Sequence, residues 1–267
     1  MILGIDVSRW QSNVNWGTIK AAGVEFAFIK ATQGNYLVDA KLKTHVDGAQ
    51  KAGLIVGLYH WCDPLVKADA QAKFFLDNTQ GIDYRFVSAD VEQQWGDWKE
   101  WSEGRVSKIL SPDVISNNAK GILDYWESRM SVKRVVYSRA SFINSYAKPA
   151  LKWLKEYPLW MAHYPYKAGN IRTSWADLQT TYKPSIPGPN LPTGCPTWTF
   201  WQFSGDKFIL PGIESTLDVN YFNGNLSQLR EFAGLPPVST PPPTETRTVE
   251  ERLTLLETVA REKGWKV

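Results

Sequence analysis

Over its first two thirds the chain alternates short apolar runs with helix-like stretches, five times in succession, and this rhythm restricts the fold more than any other feature. Ile2 to Ser8, Val24 to Thr32, Leu54 to Cys62, Arg85 to Glu92 and Val135 to Ser138 are rich in β-branched and aromatic residues and are predicted strands. Trp16 to Ala22, Ala40 to Ala52, Ala68 to Asn78, Pro112 to Met130 and Ala140 to Lys155 are the predicted helices between them. Five βα units in a row imply parallel strands joined by crossover helices. Three more strands are predicted at Pro158 to Tyr164, Thr197 to Ser204 and Thr216 to Phe222, where the connections are Pro-, Gly- and Ser-rich. The expected fold is therefore α/β: a modified TIM-like barrel of five βα units followed by three strands, plus a short C-terminal helical tail. Functional groups of such barrels gather at the C-terminal ends of the strands.

The barrel is expected to span residues 1–234. Residues 235–246, within which Pro, Ser and Thr dominate, form a stiff linker. Residues 247–267 are predicted to form a short amphipathic helix. Thr248 to Glu251 has the form of a capping box, Val249, Leu253, Leu256 and Ala260 share a stripe, Glu257 and Arg261 are spaced to pair, and Gly264 is placed to end the helix. About two heptads are marginal for an isolated helix, so the tail is expected to self-associate as a coiled coil or to dock on something.

A net charge of +3 on 267 residues, without a Lys/Arg run, gives no basis for nucleic-acid binding. The mild cationic excess suits an anionic polymer such as a bacterial wall. No segment approaches the ~20 apolar residues of a membrane span, and the N-terminus lacks a basic n-region followed by an apolar stretch. The expectation is synthesis in a cytoplasm without a signal peptide. Cys62 and Cys195 offer neither a metal spacing nor a disulfide framework, and whether they pair is left open.

Phe86-Val-Ser-Ala-Asp-Val-Glu92 sets two carboxylates two residues apart in a run that otherwise reads as a buried strand. Ser88, Asp90 and Glu92 share one face, opposite Val87, Ala89 and Val91. Burying two ionisable groups costs several kcal/mol unless they are paired or neutralised, which points to chemistry. The first and last predicted strands repeat the pattern, with Asp6 opposite Ile5 and Val7, and Asp218 opposite Leu217 and Val219. Each acid is expected near the C-terminal end of its strand. Closure of the barrel makes the first and last strands neighbours, bringing Asp6 beside Asp218, with Asp90 and Glu92 across the mouth.

Four carboxylates in one pocket cannot all ionise comfortably, so one is expected to hold a proton near neutral pH. Glycosidic cleavage needs a protonated acid for the leaving oxygen and an ionised group for the developing oxocarbenium centre. Clustered acids also suit Mg²⁺ or Ca²⁺, and ion-paired structural acids are a third reading. The thirteen Trp and eleven Tyr favour a sugar site, because flat rings stack on pyranose faces. Tyr59, Trp61, Tyr137, Trp160, Tyr164 and Gln202 are all predicted near the same rim, where hydroxyls and an amide could bond acetamido and hydroxyl groups.

Gly4-Ile-Asp-Val-Ser-Arg-Trp-Gln11, Gly57-Leu-Tyr-His-Trp61, Ala89-Asp-Val-Glu92, Leu159-Trp-Met-Ala-His-Tyr164, Trp201-Gln202 and Leu217-Asp-Val-Asn-Tyr221 together resemble the successive motifs of glycoside hydrolase family 25, the Chalaropsis-type lysozymes. The resemblance runs from about residue 2 to 233. It implies a flattened barrel of five βα units plus three strands. It also implies an N-acetylmuramidase cutting the β-1,4 bond between N-acetylmuramic acid and N-acetylglucosamine in peptidoglycan, with no cofactor or metal. By motif, Glu92 matches the general acid, Asp90 the second carboxylate, and Asp6 and Asp218 the flanking acids. Trp61 stands where Phe is expected and His163 where Gln is common.

On chemical grounds Glu92 is expected to carry the raised pKa, and Asp90, deeper among polar neighbours, to stay ionised. Spacing leaves the stereochemistry open, since two Cα atoms roughly 6.6 Å apart along a strand allow both retaining and inverting separations. Retention through the substrate's own 2-acetamido group, with Asp90 orienting it, is the hypothesis. The leading expectation is a phage or prophage endolysin that reaches the wall on host lysis. A non-catalytic peptidoglycan-binding barrel and a chitinase-like glycosidase are the alternatives.

Overall fold

The computed structural model describes residues 1–167 and 169–237, and Met1–Pro236 forms one compact unit. The predicted tail helix and most of the predicted linker lie outside the described residues. In chain order the unit comprises β1 (Ile2–Val7), α1 (Trp16–Ala21), β2 (Val24–Gln33), β3 (Leu37–Val38), α2 (Leu42–Lys51), β4 (Ile55–Trp61), α3 (Ala68–Thr79), β5 (Phe86–Asp90), α4 (Trp98–Ser102), α5 (Pro112–Glu127), β6 (Lys133–Ser138), α6 (Ala140–Tyr146), β7 (Leu159–Ala162), β8 (Ile171–Arg172), α7 (Trp175–Gln179), β9 (Phe200–Ile209), β10 (Leu217–Phe222) and α8 (Leu226–Phe232).

Eight of these strands close a barrel in the order β1-β2-β4-β5-β6-β7-β9-β10, and β10 returns to β1. Neighbours from β1 through β9 run parallel. β10 is antiparallel to both β9 and β1. The reason is local: the connection from Leu210 to Thr216 is too short for the crossover that a parallel pair needs. Asp218 is therefore near the N-terminal end of its strand, not the C-terminal end expected. The reversal still delivers it to the rim that carries the other acids, in register with Asp6.

Side-chain alternation divides the apolar residues into two layers. Val87, Ala89, Ile5, Val7, Ala27 and Ile29 face outward and pack under the helices. Phe26, Phe28, Phe86, Val135, Trp160, Phe200 and Phe222 fill the interior. Gly4 and Gly57 leave room for this filling, since a Cβ on either would overlap the ring of Phe26 or Phe86. At the end of the barrel remote from the acids, α8 begins with an Asn225/Gln228 capping box and sets Phe232 against Phe86, Phe200 and Phe222.

Several predicted boundaries move for identifiable reasons. The helix predicted to run to Lys155 stops at Tyr146, and two 3₁₀ turns follow, because Pro149 has no N–H to donate and clashes with the preceding turn. The fourth predicted strand ends at Asp90, so Glu92 lies just beyond it. β9 extends to Ile209, past the predicted end at Ser204. Cys62 and Cys195 are both free and buried, so the pairing left open does not form.

Candidate active site

Strand ends deliver the acids to one cleft of about 540 Å³, lined among others by Asp6, Tyr59, Trp61, Asp90, Glu92, Tyr137, Trp160, Gln202 and Asp218. Of the predicted site residues only Tyr164 does not line it; its hydroxyl donates to Gln202 Oε1 at 2.6 Å from the adjacent wall. A larger cavity of about 970 Å³ lies around Ser12 to Trp16 and Ile209 to Glu214. Glu214 is the one acid lining it, so it lacks the paired carboxyls that acid and base work requires.

β5 carries the deepest acid. Asp90 is in register with Trp61 on one side and Tyr137 on the other and is 3% exposed. Its backbone carbonyl accepts from Cys62 N–H at 3.0 Å, which fixes the strand end, but Oδ1 has no hydrogen-bond partner among the described residues. Burial, and then the Glu92 charge, push the Asp90 carboxyl well above the ordinary carboxylate range. Burial raises Glu92 as well, while Arg139 and then Lys30 pull it back. Glu92 is thus raised as expected, but Asp90 is raised as well, against the expectation that it stays ionised. Asp90 Oδ1 finds no donor to offset its burial, and the nearby Glu92 charge adds to the rise.

Asp6 has a different environment. Gln202 Nε2 donates to its Oδ2 at 2.9 Å and Asn220 Nδ2 donates to the same oxygen at 2.7 Å. Gln202 is itself held, because Tyr137 Oη at 2.7 Å and Tyr164 Oη at 2.6 Å both donate to its Oε1. Trp160 Nε1 donates to Asn220 Oδ1 at 2.7 Å, and its ring stacks on Phe28 at 3.9 Å and 8°. Gln202 and Trp160 are 3% and 2% exposed, and their polar groups are engaged within the protein. Rather than reaching out to a sugar, they hold Asp6 and Asn220 in place and form the cleft floor.

Two cations face the acids. Lys30 lines the cleft with its ammonium 4.9 Å above the Trp61 ring, and Arg139 lies 5.3 Å from the Tyr164 ring. Burial lowers the Lys30 pKa, and Asp90 is the largest charge opposing that drop. Neither cation was singled out from the sequence. A usable signal existed for Lys30: it falls on the interior face with Phe26 and Phe28, where a lysine needs an anion. Arg139 follows directly on β6 and carries no such pattern. Burial also raises the Tyr59 and Tyr137 pKa values well above that of a free phenol, so both present neutral hydroxyls. Among the described residues, no group of three or more His, Cys, Asp or Glu is placed to hold a metal ion, and no helix is long and apolar enough to cross a membrane.

A cleft with two carboxyls raised by burial, two flanking acids and an aromatic wall is equipped for acid-catalysed cleavage of a glycosidic bond. Comparison with known proteins agrees. The profile described as Glycosyl hydrolases family 25 matches residues 5–213. Lysozyme M1 of Streptomyces globisporus is 30% identical over 237 residues, covering 87% of this chain and 71% of that protein. The N,O-diacetylmuramidase of Chalaropsis sp is 23% identical, covering 87% and 99%. The crystal structure of the bacterial lysozyme from Streptomyces coelicolor superimposes with a TM-score of 0.67 at 28% identity, covering 87% and 96%. The chain belongs to glycosyl hydrolases family 25 and is a glycoside hydrolase.

Proposed function

We propose that the protein is an N-acetylmuramidase that hydrolyses the β-1,4 bond between N-acetylmuramic acid and N-acetylglucosamine in peptidoglycan. The observation that carries this reading is the raised Asp90/Glu92 pair facing Asp6 and Asp218 in one aromatic-walled cleft. The muramidase and lysozyme relatives support the choice of substrate.

Glu92, outside the strand and less buried than Asp90, is the proton donor to the leaving oxygen. Asp90 Oδ1 is the acceptor for the 2-acetamido N–H of the sugar at the cleaved bond. That hydrogen bond favours the ionised form of Asp90 and leaves the proton on Glu92. Substrate thereby arms its own acid. The ionised Asp90 orients the acetamido oxygen, which bonds to the anomeric carbon as the bridging C–O bond breaks and Glu92 protonates the leaving oxygen; a water then attacks that carbon, gives its proton to the Glu92 carboxylate and releases the acetamido oxygen, with net retention of configuration. Asp6, clamped by Gln202 and Asn220, and Asp218 beside it place negative charge near the oxocarbenium centre.

A phage or prophage endolysin is the biological setting we infer, acting on the wall when the host lyses; the cationic balance of +3 suits that anionic polymer. A chitinase-like activity is the competing chemistry. Purified peptidoglycan and chitin oligomers separate the two: turnover of peptidoglycan is expected to exceed that of chitin hexamer by at least about a hundredfold, a difference of roughly 2.7 kcal/mol in transition-state binding. Comparable rates would assign the cleft to chitin instead.

A further inference from the structure

The segment after Glu92 carries Trp95-Gly-Asp-Trp-Lys-Glu-Trp101, three tryptophans in seven residues beside the acid. Asp97 caps α4 by accepting from Lys99 N–H and Glu100 N–H, and Trp98 and Trp101, three apart, emerge on one side of that helix. The Trp95 and Trp101 rings stack at 4.8 Å and 16°, with Trp98 edge-on to both. Trp61, from the end of β4, meets Trp95 and Trp98 at 6.2 and 6.3 Å.

This cluster is pinned, not loose. Gly96 N–H donates to Lys108 O at 3.0 Å and Leu110 N–H to Gln94 O at 2.8 Å, folding the segment back on itself. Trp98 Nε1 donates to Asp63 Oδ2 at 3.3 Å, and Gln93 Nε2 to Asp63 Oδ1 at 3.1 Å. A packing role alone would bury all the rings, yet Trp101 remains 43% exposed. Trp61, Trp95 and Trp101 line a second chamber of about 580 Å³, together with Glu92, Arg139 and Ser141. Glu92 and Trp61 line both this chamber and the acid-bearing cleft, so the proton donor stands at their junction.

We infer that this chamber is the binding site for the saccharide on the leaving-group side of the cut bond. The inference rests on the glycan-cleaving reading of Glu92. The acid-bearing cleft must hold the sugar whose anomeric carbon becomes cationic, because the stabilising carboxylates are there. An acid that protonates the bridging oxygen has the other sugar on its far side, and on the far side of Glu92 is the tryptophan chamber. Trp101 offers an open ring face to a pyranose, and Arg139 and Ser141 offer donors to its hydroxyl and acyl groups.

The test is dependence on a leaving-group sugar. Kinetics are measured on an uncrosslinked glycan tetrasaccharide prepared from peptidoglycan and on the β-fluoride of the N-acetylglucosaminyl-N-acetylmuramic acid disaccharide, whose leaving group is fluoride, with the parent chain, Trp101→Ala and Trp101→Tyr. The ratio of tetrasaccharide to fluoride kcat/KM is expected to fall about tenfold in Trp101→Ala, because only the tetrasaccharide places a sugar in the chamber, and to recover in Trp101→Tyr. A ratio equal to the parent's in Trp101→Ala overturns the inference, whether or not total activity or Tm falls. Glu92→Gln is run alongside: loss of tetrasaccharide turnover upholds the reading of the acid, and retained turnover marks the failure of that reading, separately from the chamber's.

Discussion

Replacement of Glu92 by Gln is expected to lower the rate of cell-wall clearing by about 10²- to 10⁴-fold, the range for losing a positioned general acid. Gln matches Glu in size and keeps a donor and an acceptor, so the cleft and its affinity for wall should persist. The loss belongs in kcat, because proton donation matters only as the bridging bond breaks. Turbidity assays paired with a wall pull-down separate catalysis from binding. A variant that clears walls at more than a tenth of the parent rate would remove Glu92 from the reaction. The parent's rate should also fall on the alkaline side as the acid loses its proton, because burial raises both carboxyls above the ordinary range.

Asp90→Asn is expected to inactivate the enzyme and to stabilise its fold at once. Asp90 is 3% exposed, and burial, then the Glu92 charge, raise its pKa in the folded state. A carboxyl raised on folding contributes stability that is fully present below its unfolded pKa of about 3.9 and is lost as pH rises through the folded value. Asn removes that loss. The gain should therefore be absent near pH 4 and reach about 1–2 kcal/mol near pH 8, as is common when a functional site is relieved of strain. In Tm this is roughly 3–6 °C for a domain of this size. Loss of the attraction to Lys30 caps the gain, since Asp90 is the largest charge supporting the Lys30 ammonium. Scanning calorimetry at the two pH values reads the difference; a variant less stable than the parent at pH 8 would mean that Asp90 is not electrostatically frustrated.

Much of the barrel was legible because the hydrophobic period reports which face of each strand is buried. The alternation in Phe86 to Asp90 sorts Val87 and Ala89 to the helix layer and Asp90 to the cleft, as the structure has it. The alternation in Leu217 to Asn220 likewise brings Asp218 into the cleft. What a period cannot supply is direction, so the reversal of β10 was missed while the facing of Asp218 was not. Nor does it supply partners. Gln202 and Trp160 stand near the rim as expected, but their hydrogen bonds run to Asp6, Tyr137, Tyr164 and Asn220, residues far away in the chain. The raised pKa of Asp90 is hidden from the sequence for the same reason, since whether Oδ1 finds a donor depends on neighbouring strands. The tryptophan chamber lies on a non-periodic segment joined by one short helix, where strand and helix patterns are silent.

A cleft that cuts on the reducing side of N-acetylmuramic acid leaves its mark in the reducing ends of the products. Purified peptidoglycan digested to completion, reduced with borohydride and analysed by mass spectrometry should carry the reduced label on N-acetylmuramic acid in every soluble fragment. Label on N-acetylglucosamine would place the proton donor against the other linkage and make the enzyme a glucosaminidase instead.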